Sequence, residues 1–494
     1  MVERMFGKQV HDWWEPSDSA GSRSLLEVLV SQRRAENRCA ARRVRAVGEL
    51  FEMRRAERGE AEDWAVDTWA AVGAEVAAAL GISLGRAGSW MHDGLAMRRL
   101  PGCAAVFEAG DIDVDVFHAI VYRTGLLTDP EALETVDALI AARAARWPSL
   151  GAGRVAREID RLVHQVDRDA VRRRRERARD RDVTIWDAAD GSADISGRLL
   201  ATDAHVLDKR LDALAVTVCE ADPRTLAQRR ADALGALAAG AQRLACRCEC
   251  AQCPAAAAAA AAAGAVASAV VVHVVADRAT LDGAAERPGY LLGADALIPA
   301  QMLREIAAAA RLRPLIHPLD AAAEPQYRPS AALADFVRAR DLTCRAPGCD
   351  RPATDCDLDH TVPYGRGGPT HASNLKALCR FHHMVKTFWG WEDRQLPDGT
   401  VLWRLPGEQT YVTIPGSAWL FPTLSTPTGR LPAPPPYTPA GTAGMPRRKT
   451  TRSHDRAHRI ATERNANRAD RQSREAAILK TSPPPNPGDD PPPF

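Results

Sequence analysis

The sequence predicts an α+β chain, in which a mostly α-helical N-terminal domain with a small β-sheet precedes a cysteine- and histidine-rich ββα module, a short β extension and a disordered tail. Three observations predict this. Apolar residues recur at three- and four-residue intervals through most of the first 180 residues, the spacing of an amphipathic helix. Two close ligand pairs, Cys344-x4-Cys349 and Cys379-x2-His382, stand about thirty residues apart. Beyond Thr423 the chain turns proline- and arginine-rich. The expected organisation is a flexible arm (1–20), a helical domain (21–315) carrying a low-complexity alanine insert (254–267), the Cys/His module (316–390), a β-hairpin extension (391–422) and the tail (423–494), disordered apart from a transient helix in its arginine-rich stretch 447–474.

Composition bounds the function. A chain of 494 residues has room for two or three domains. An apolar content of 46% against 26% charged fits a soluble globular protein, although alanine inflates the first figure. A net charge of only +2 provides no overall field toward nucleic acid, so any such attraction must be local. Eleven cysteines is an odd number, and they cluster instead of spreading as a disulfide framework would. Metal binding in a reducing cytoplasm is the expectation. The N-terminus holds no apolar segment, which argues against secretion. Residues 255–276 carry no charge, but the first half is nearly all alanine and the second is valine-rich around His273. That reads as an insert followed by a buried strand at 270–275, not a membrane span.

The helical half opens with a long amphipathic helix at about 24–58. Helical patterns then continue to about residue 180, broken at glycines and prolines. Residues 75–99 read as helix, Gly-Ile-Ser turn, helix. Either a packed hairpin or a helix-turn-helix whose reading helix is 84–99 satisfies that pattern. The run 172–181, RRRRERARDR, is a solvated face or the flank of a nucleic-acid groove. A strand pair at 183–186 and 194–199 turns at Asp190-Gly191, and the later strand at 270–275 could join it in one sheet. Helix is expected from about 203 to 245, then Cys246, Cys248, Cys250 and Cys253. So tight a spacing strains a tetrahedral site, leaving a second metal or a loop of free thiols.

A linker at about 317–329 leads to Ser330, which can cap a helix delivering the chain to Cys344. Four soft or borderline ligands in two pairs suit a tetrahedral structural zinc, and a module too small for its own core needs such a staple. Asp359 and His383 could ligate a second, open-sided cation. His360, next to Asp359 on a strand, faces the other way and is suited to take a proton from water. Gly365, Gly367, Gly368 and Pro369 make a loop, and Asn374 leads into a helix bearing Cys379, His382 and His383. After it, alternation around Asp398-Gly399 predicts a hairpin with a third strand.

Asp359-His360, Asn374 and His383 resemble the signature positions of HNH endonucleases, whose fold is a ββα-metal finger; the match covers roughly residues 330–390. The helical half, through its LGIS hairpin, strand pair and cysteine cluster, resembles the 13E12-repeat family, which sets a helical domain of unknown function before such a module. The resemblance implies a metal-dependent DNA endonuclease. His360 would be the general base, Asn374 would hold the two strands together, and Asp359 and His383 would bind the catalytic cation, Mg2+, Mn2+ or Ni2+. Zn2+ on Cys344, Cys349, Cys379 and His382 would be structural. The second zinc pair departs from the commoner Cys-Cys, and Cys356 is an extra thiol able to compete for zinc. Arg366, Lys376, Arg380 and Lys386 are candidate phosphate contacts, DNA being the expected partner. The rival expectation is a regulator whose degenerate finger and helical hairpin grip DNA without cutting it.

Overall fold

The computed structural model describes residues 20–147, 150–171, 181–188, 191–262, 272–294, 296–308, 310–429, 431 and 444–481. The arm up to residue 19, the basic run 172–180 and Asp190 lie outside the described residues, as do most of the insert's second half with the start of the strand expected at 270. The fold is mixed α/β: many helices with small antiparallel sheets.

A 39-residue helix, Ala20–Arg58, is the spine of the helical half. It crosses helix Leu84–Arg99 where two glycines meet. A Cβ on Gly94 would lie 2.6 Å from the Val44 carbonyl oxygen and 2.7 Å from Gly48 N, so the backbones touch only because neither residue has one. Gly94→Ala should therefore lower stability by about 1–3 kcal/mol, the usual cost of overpacking. Gly85→Ala on the same helix meets open space and should leave the melting temperature unchanged or slightly raised. Differential scanning calorimetry of both variants checks this.

The expected helical hairpin is present: Thr68–Leu80 and Leu84–Arg99 bend by 107°, with Gly81 in the left-handed region at φ +61° and Ser83 capping Arg86 N. Its second helix buries Ala87, Trp90, Met91, Gly94, Ala96 and Met97. Packing therefore accounts for the pattern that also suggested a DNA-reading helix. The main core lies behind it, where helices Pro101–Glu108, Val114–Arg123, Pro130–Ala144 and Ala152–Val166 pack around Phe107 stacked on Phe117 at 4.9 Å. Buried Asp137 accepts from Gly102 N and Cys103 N at 2.7 and 2.8 Å, capping a neighbouring helix N-terminus through space. Among the described residues no single helix is long and apolar enough to cross a membrane.

Three sequence expectations are corrected. The strand pair Asp182–Asp187 and Ala193–Arg198 forms its own two-stranded sheet; the later strand, His273–Val275, pairs instead with Gly289–Leu292, at the edge of its sheet, and is half-buried to exposed instead of buried. The tail is not wholly disordered: Arg452–Thr481 is a helix docked on the helical half. Arg464 bonds Asp167 at 2.8 Å, Arg471 bonds Asp169 at 3.0 Å, and Arg452 bonds the buried Asp67 at 2.8 Å. Those acids lie hundreds of residues upstream, and buried carboxylates require partners. Last, the boundary between helical domain and Cys/His module is not a boundary in space. Val66, Ala71, Ala74 and Ala78 share one core with Cys344, Cys379, Val385, Trp389 and Trp403, and Trp389 Nε1 donates to the Val66 carbonyl at 3.1 Å.

Candidate functional site

Helix Ala331–Asp341 starts at Ser330, whose side chain accepts from Leu333 N, and ends on a buried ion pair. Arg340 and Asp341 are both 0% exposed and 2.8 Å apart. Arg340 also donates to the Ala372 and Leu375 carbonyls, and Asp341 accepts from Ala377 N, all at 2.8 Å. A helix is thus bolted to the second strand of a hairpin through groups that have no water to fall back on. The hairpin pairs Cys356–His360 with Leu375–Cys379 in antiparallel register, Asp359 opposite Lys376 and Cys356 opposite Cys379. Helix Arg380–Phe388 follows at once, giving strand, loop, strand, helix; the helix expected from Leu375 therefore starts five residues late, because Leu375–Cys379 is taken up by pairing with the first strand and Cys379 only caps the helix.

The four expected zinc ligands meet. Ligand atoms of Cys344, Cys349, Cys379 and His382 all lie within 4.8 Å of one another, with His382 Nδ1 3.3 Å from Cys379 Sγ and 3.7 Å from Cys344 Sγ. Burial pushes the Cys344 thiol up; Cys344 and Cys379 push Cys349 up, while Cys344 and Cys349 pull Cys379 down. Without a cation the cluster can carry thiolate charge on only part of its sulfurs. Three thiols and an imidazole so close, in a largely buried pocket, fit a structural zinc, which takes them all deprotonated. The competitor Cys356 lies next to Cys344 but outside the four-ligand set, its Sγ donating to the Pro352 carbonyl at 3.3 Å.

Asp359 and His383 also meet, although 24 positions separate them. His383 Nε2 lies 3.3 Å from Asp359 Oδ1, and its Nδ1 lies 2.9 Å from Asp357 Oδ2. If Nδ1–H donates to Asp357, the Nε2 lone pair faces the carboxylate oxygen of Asp359. A proton on Nε2 would make this contact an ion pair; with Nε2 unprotonated, the separation is near the about 3.0 Å between adjacent ligands of an octahedral cation with bonds of about 2.1 Å. Asp357, His383 and Asp359 thus form a carboxylate–imidazole–carboxylate line.

Asp359 is otherwise tightly held. Its Oδ2 accepts from Lys376 Nζ at 2.6 Å and Lys386 Nζ at 2.7 Å. Both lysines also pair with Asp393, at 2.5 and 3.1 Å. Burial pushes the Asp359 carboxyl up, but Lys376, Lys386 and His383 outweigh it and hold it at about 2. This corrects two expected phosphate contacts. Lys376 is fully buried and Lys386 is committed to Asp359, Asp393 and the His360 carbonyl, so both belong to the acid's cradle. Arg380 remains exposed on its helix, bonded to Asp357 at 3.3 Å, and Arg366 stays at the surface on the turn Tyr364–Arg366. Asp393, from the β extension, went unnoticed in the sequence. Removing the cradle's centre, Lys376→Met, should cost about 3–5 kcal/mol by leaving Asp359 and Asp393 under-compensated, read as a drop in thermal midpoint.

His360 occupies a pocket of its own. Tyr327 stacks on its ring at 5.3 Å, Tyr364 meets it edge-on, and Nε2 lies 3.0 Å from Thr370 Oγ1. Thr370 Oγ1 donates to the Tyr327 carbonyl at 3.4 Å, so it accepts from His360 Nε2–H, and Nδ1 carries the lone pair. Burial lowers the ring's pKa, with Lys376, Lys386 and His383 adding to it against Asp359; the imidazole is neutral at pH 7. Asn374 closes the intervening loop: Oδ1 accepts from Val362 N at 2.8 Å, and Nδ2 donates to the Val362 and Pro369 carbonyls at 3.0 and 2.9 Å. Gly368 passes so near Val362 O that any Cβ would clash with it.

The second cysteine cluster differs from the sequence expectation. Cys246, Cys248 and Cys253 gather with Cys219, while Cys250 is exposed and outside the set.

Comparison with known proteins gives relatives but no mechanism. Uncharacterized protein Rv3776 of Mycobacterium tuberculosis (strain ATCC 25618 / H37Rv) is 45% identical over 476 residues, covering 90% of each chain. Uncharacterized protein Rv2100 of the same strain is 45% identical over 495 residues, covering 90% of this chain and 88% of its own. No solved structure matches significantly. The family model described as "Domain of unknown function (DUF222)" matches residues 31–341, ending just short of Cys344. The chain belongs to the DUF222 family.

Proposed function

We propose that this protein is a metal-dependent DNA endonuclease that hydrolyses phosphodiester bonds at an HNH-type ββα site. The observation that carries the reading is the approach of His383 Nε2 to Asp359 Oδ1 at 3.3 Å, with His360 oriented separately next to it. Zinc on Cys344, Cys349, Cys379 and His382 would hold the finger shut. A divalent cation on Asp359 and His383 (Mg2+, Mn2+ or Ni2+) would supply Lewis acidity to the scissile phosphate. The chain's own residues do the rest. His360 Nδ1 takes the proton of the attacking water, the Thr370 bond keeping the ring in the tautomer that leaves Nδ1 free. Asp357 holds His383 in line, and Lys376 and Lys386 keep Asp359 ionised. Asn374 fixes the loop joining the two strands, and exposed Arg380 is available to the DNA backbone.

One observation favours a second reading. Asp359 Oδ2 already accepts from two ammonium groups, so the carboxylate is compensated without a cation. On that reading the finger grips DNA and does not cut it. Supercoiled plasmid incubated with the full chain in Mg2+, Mn2+ or Ni2+ separates the two. Nicking that stops on chelation supports the endonuclease. Salt-dependent binding with no nicking in any of the three metals supports the second reading. The full chain is the right material, because part of the finger's core comes from Val66 to Ala78.

A further inference from the structure

We propose that Cys219, Cys246, Cys248 and Cys253 form a second structural zinc site, which staples the middle of the chain. The four sulfurs lie within 4.8 Å of one another, and Cys246 Sγ is 3.5 Å from Cys219 Sγ. A tetrahedral zinc with bonds of about 2.3 Å sets its sulfurs about 3.8 Å apart, close to the separation found. A disulfide would bring a pair to about 2.0 Å.

The fourth ligand explains how so crowded a run can serve. Four thiols drawn from 246–253 alone would strain a tetrahedron. Taking three from that loop and one from Cys219, 27 positions upstream, lets the metal sit between two loops. Cys219 follows helix Ala201–Ala215, and the other three follow helix Leu226–Ala238. The loops are tied together independently of the thiols. Asp222, its side chain 0% exposed, accepts from Arg224 at 2.7 Å and from Arg247 N at 2.9 Å. Arg224 also donates to the Ala245 carbonyl at 2.7 Å, and Leu244 N donates to Thr217 Oγ1 at 2.9 Å. The ligands are thus held near their places before metal arrives.

The region also needs a staple. Helix Ala201–Ala215 buries only Leu214 and Ala215 among its described residues, and helix Leu226–Ala238 only Ala233. Among the described residues, none of 181–262 belongs to any of the four hydrophobic clusters. A helix pair with so little apolar burial cannot repay its ordering entropy from packing alone. Zinc binding couples directly to folding in such units. In the binding step each thiol that ligates releases its proton to solvent, four Zn–S bonds form, and no electron is transferred.

The test uses the full chain, purified under reductant with zinc. Total zinc should exceed the finger's single equivalent by one. Cys219→Ser should remove that second equivalent, and Cys250→Ser should remove none. As a readout that does not depend on any variant folding, thiol alkylation mapped by mass spectrometry on the parent should find Cys219, Cys246, Cys248 and Cys253 protected and Cys250 labelled rapidly. A chelator should then expose the four. Alkylation of all five at one rate would overturn the proposal, as would zinc stoichiometry limited to the finger. So would recovery of a Cys219–Cys246 disulfide in place of metal. Cys344→Ser, which strips the finger, should leave the protection of these four unchanged.

Discussion

His360→Ala should abolish plasmid nicking while zinc content stays at the parent's level. A positioned general base accounts for about 10²–10⁴-fold in rate, and the neighbouring His383 is not free to replace it, being turned to Asp359 and Asp357. The ring fills a slot between Tyr327 and Thr370, so some stability goes with it. His360→Asn, which keeps much of the volume and can still reach Thr370, controls for that loss. Both variants should bind plasmid as the parent does. If either cuts at the parental rate, His360 is not the base.

Cys344→Ser should have the largest effect on structure. Zinc contributes about 10–16 kcal/mol of apparent binding energy in small structural sites, and that energy is folding energy. The ligands Cys344 and Cys379 sit inside the core that the finger shares with Val66 and Ala78, so losing the metal opens that core from within. Loss of one zinc equivalent should therefore accompany a lower thermal midpoint and rapid proteolysis within 342–391. The helical core around Phe107 and Phe117 lies in a separate cluster and should survive. Retained zinc with an unchanged melting curve would show that the four ligands do not hold a structural metal.

What could be read from the sequence follows a physical line. Cys344-x4-Cys349 and Cys379-x2-His382 were legible because metal chemistry restricts residue type and spacing locally. The ββα order was legible too, but not the second strand's extent: Leu375–Cys379 read as the start of the helix, and only pairing with Cys356–His360 makes it a strand. Asp393 was not, because its role depends on a third strand pair bringing it under Lys376 and Lys386. The same lysines read as phosphate contacts on charge alone, and only burial reveals that their partner is Asp359. Cys219 lay too far from the other thiols to be counted with them. The helix Arg452–Thr481 is strongly polar, so it signalled no more than a transient helix; its docking comes from Asp67, Asp167 and Asp169, which no local pattern announces. Each miss is a long-range electrostatic or packing partner, the kind of information that sequence periodicity does not carry.

The central claim is a cation shared by Asp359 and His383, and manganese tests it most directly. Electron paramagnetic resonance of the zinc-loaded full chain titrated with Mn2+ should reveal one bound ion coupled to a single imidazole nitrogen. That coupling should vanish in His383→Ala, and affinity should fall sharply in Asp359→Asn, with zinc content intact in both. Mn2+ that binds without nitrogen coupling, or binds equally well to both variants, would contradict the account.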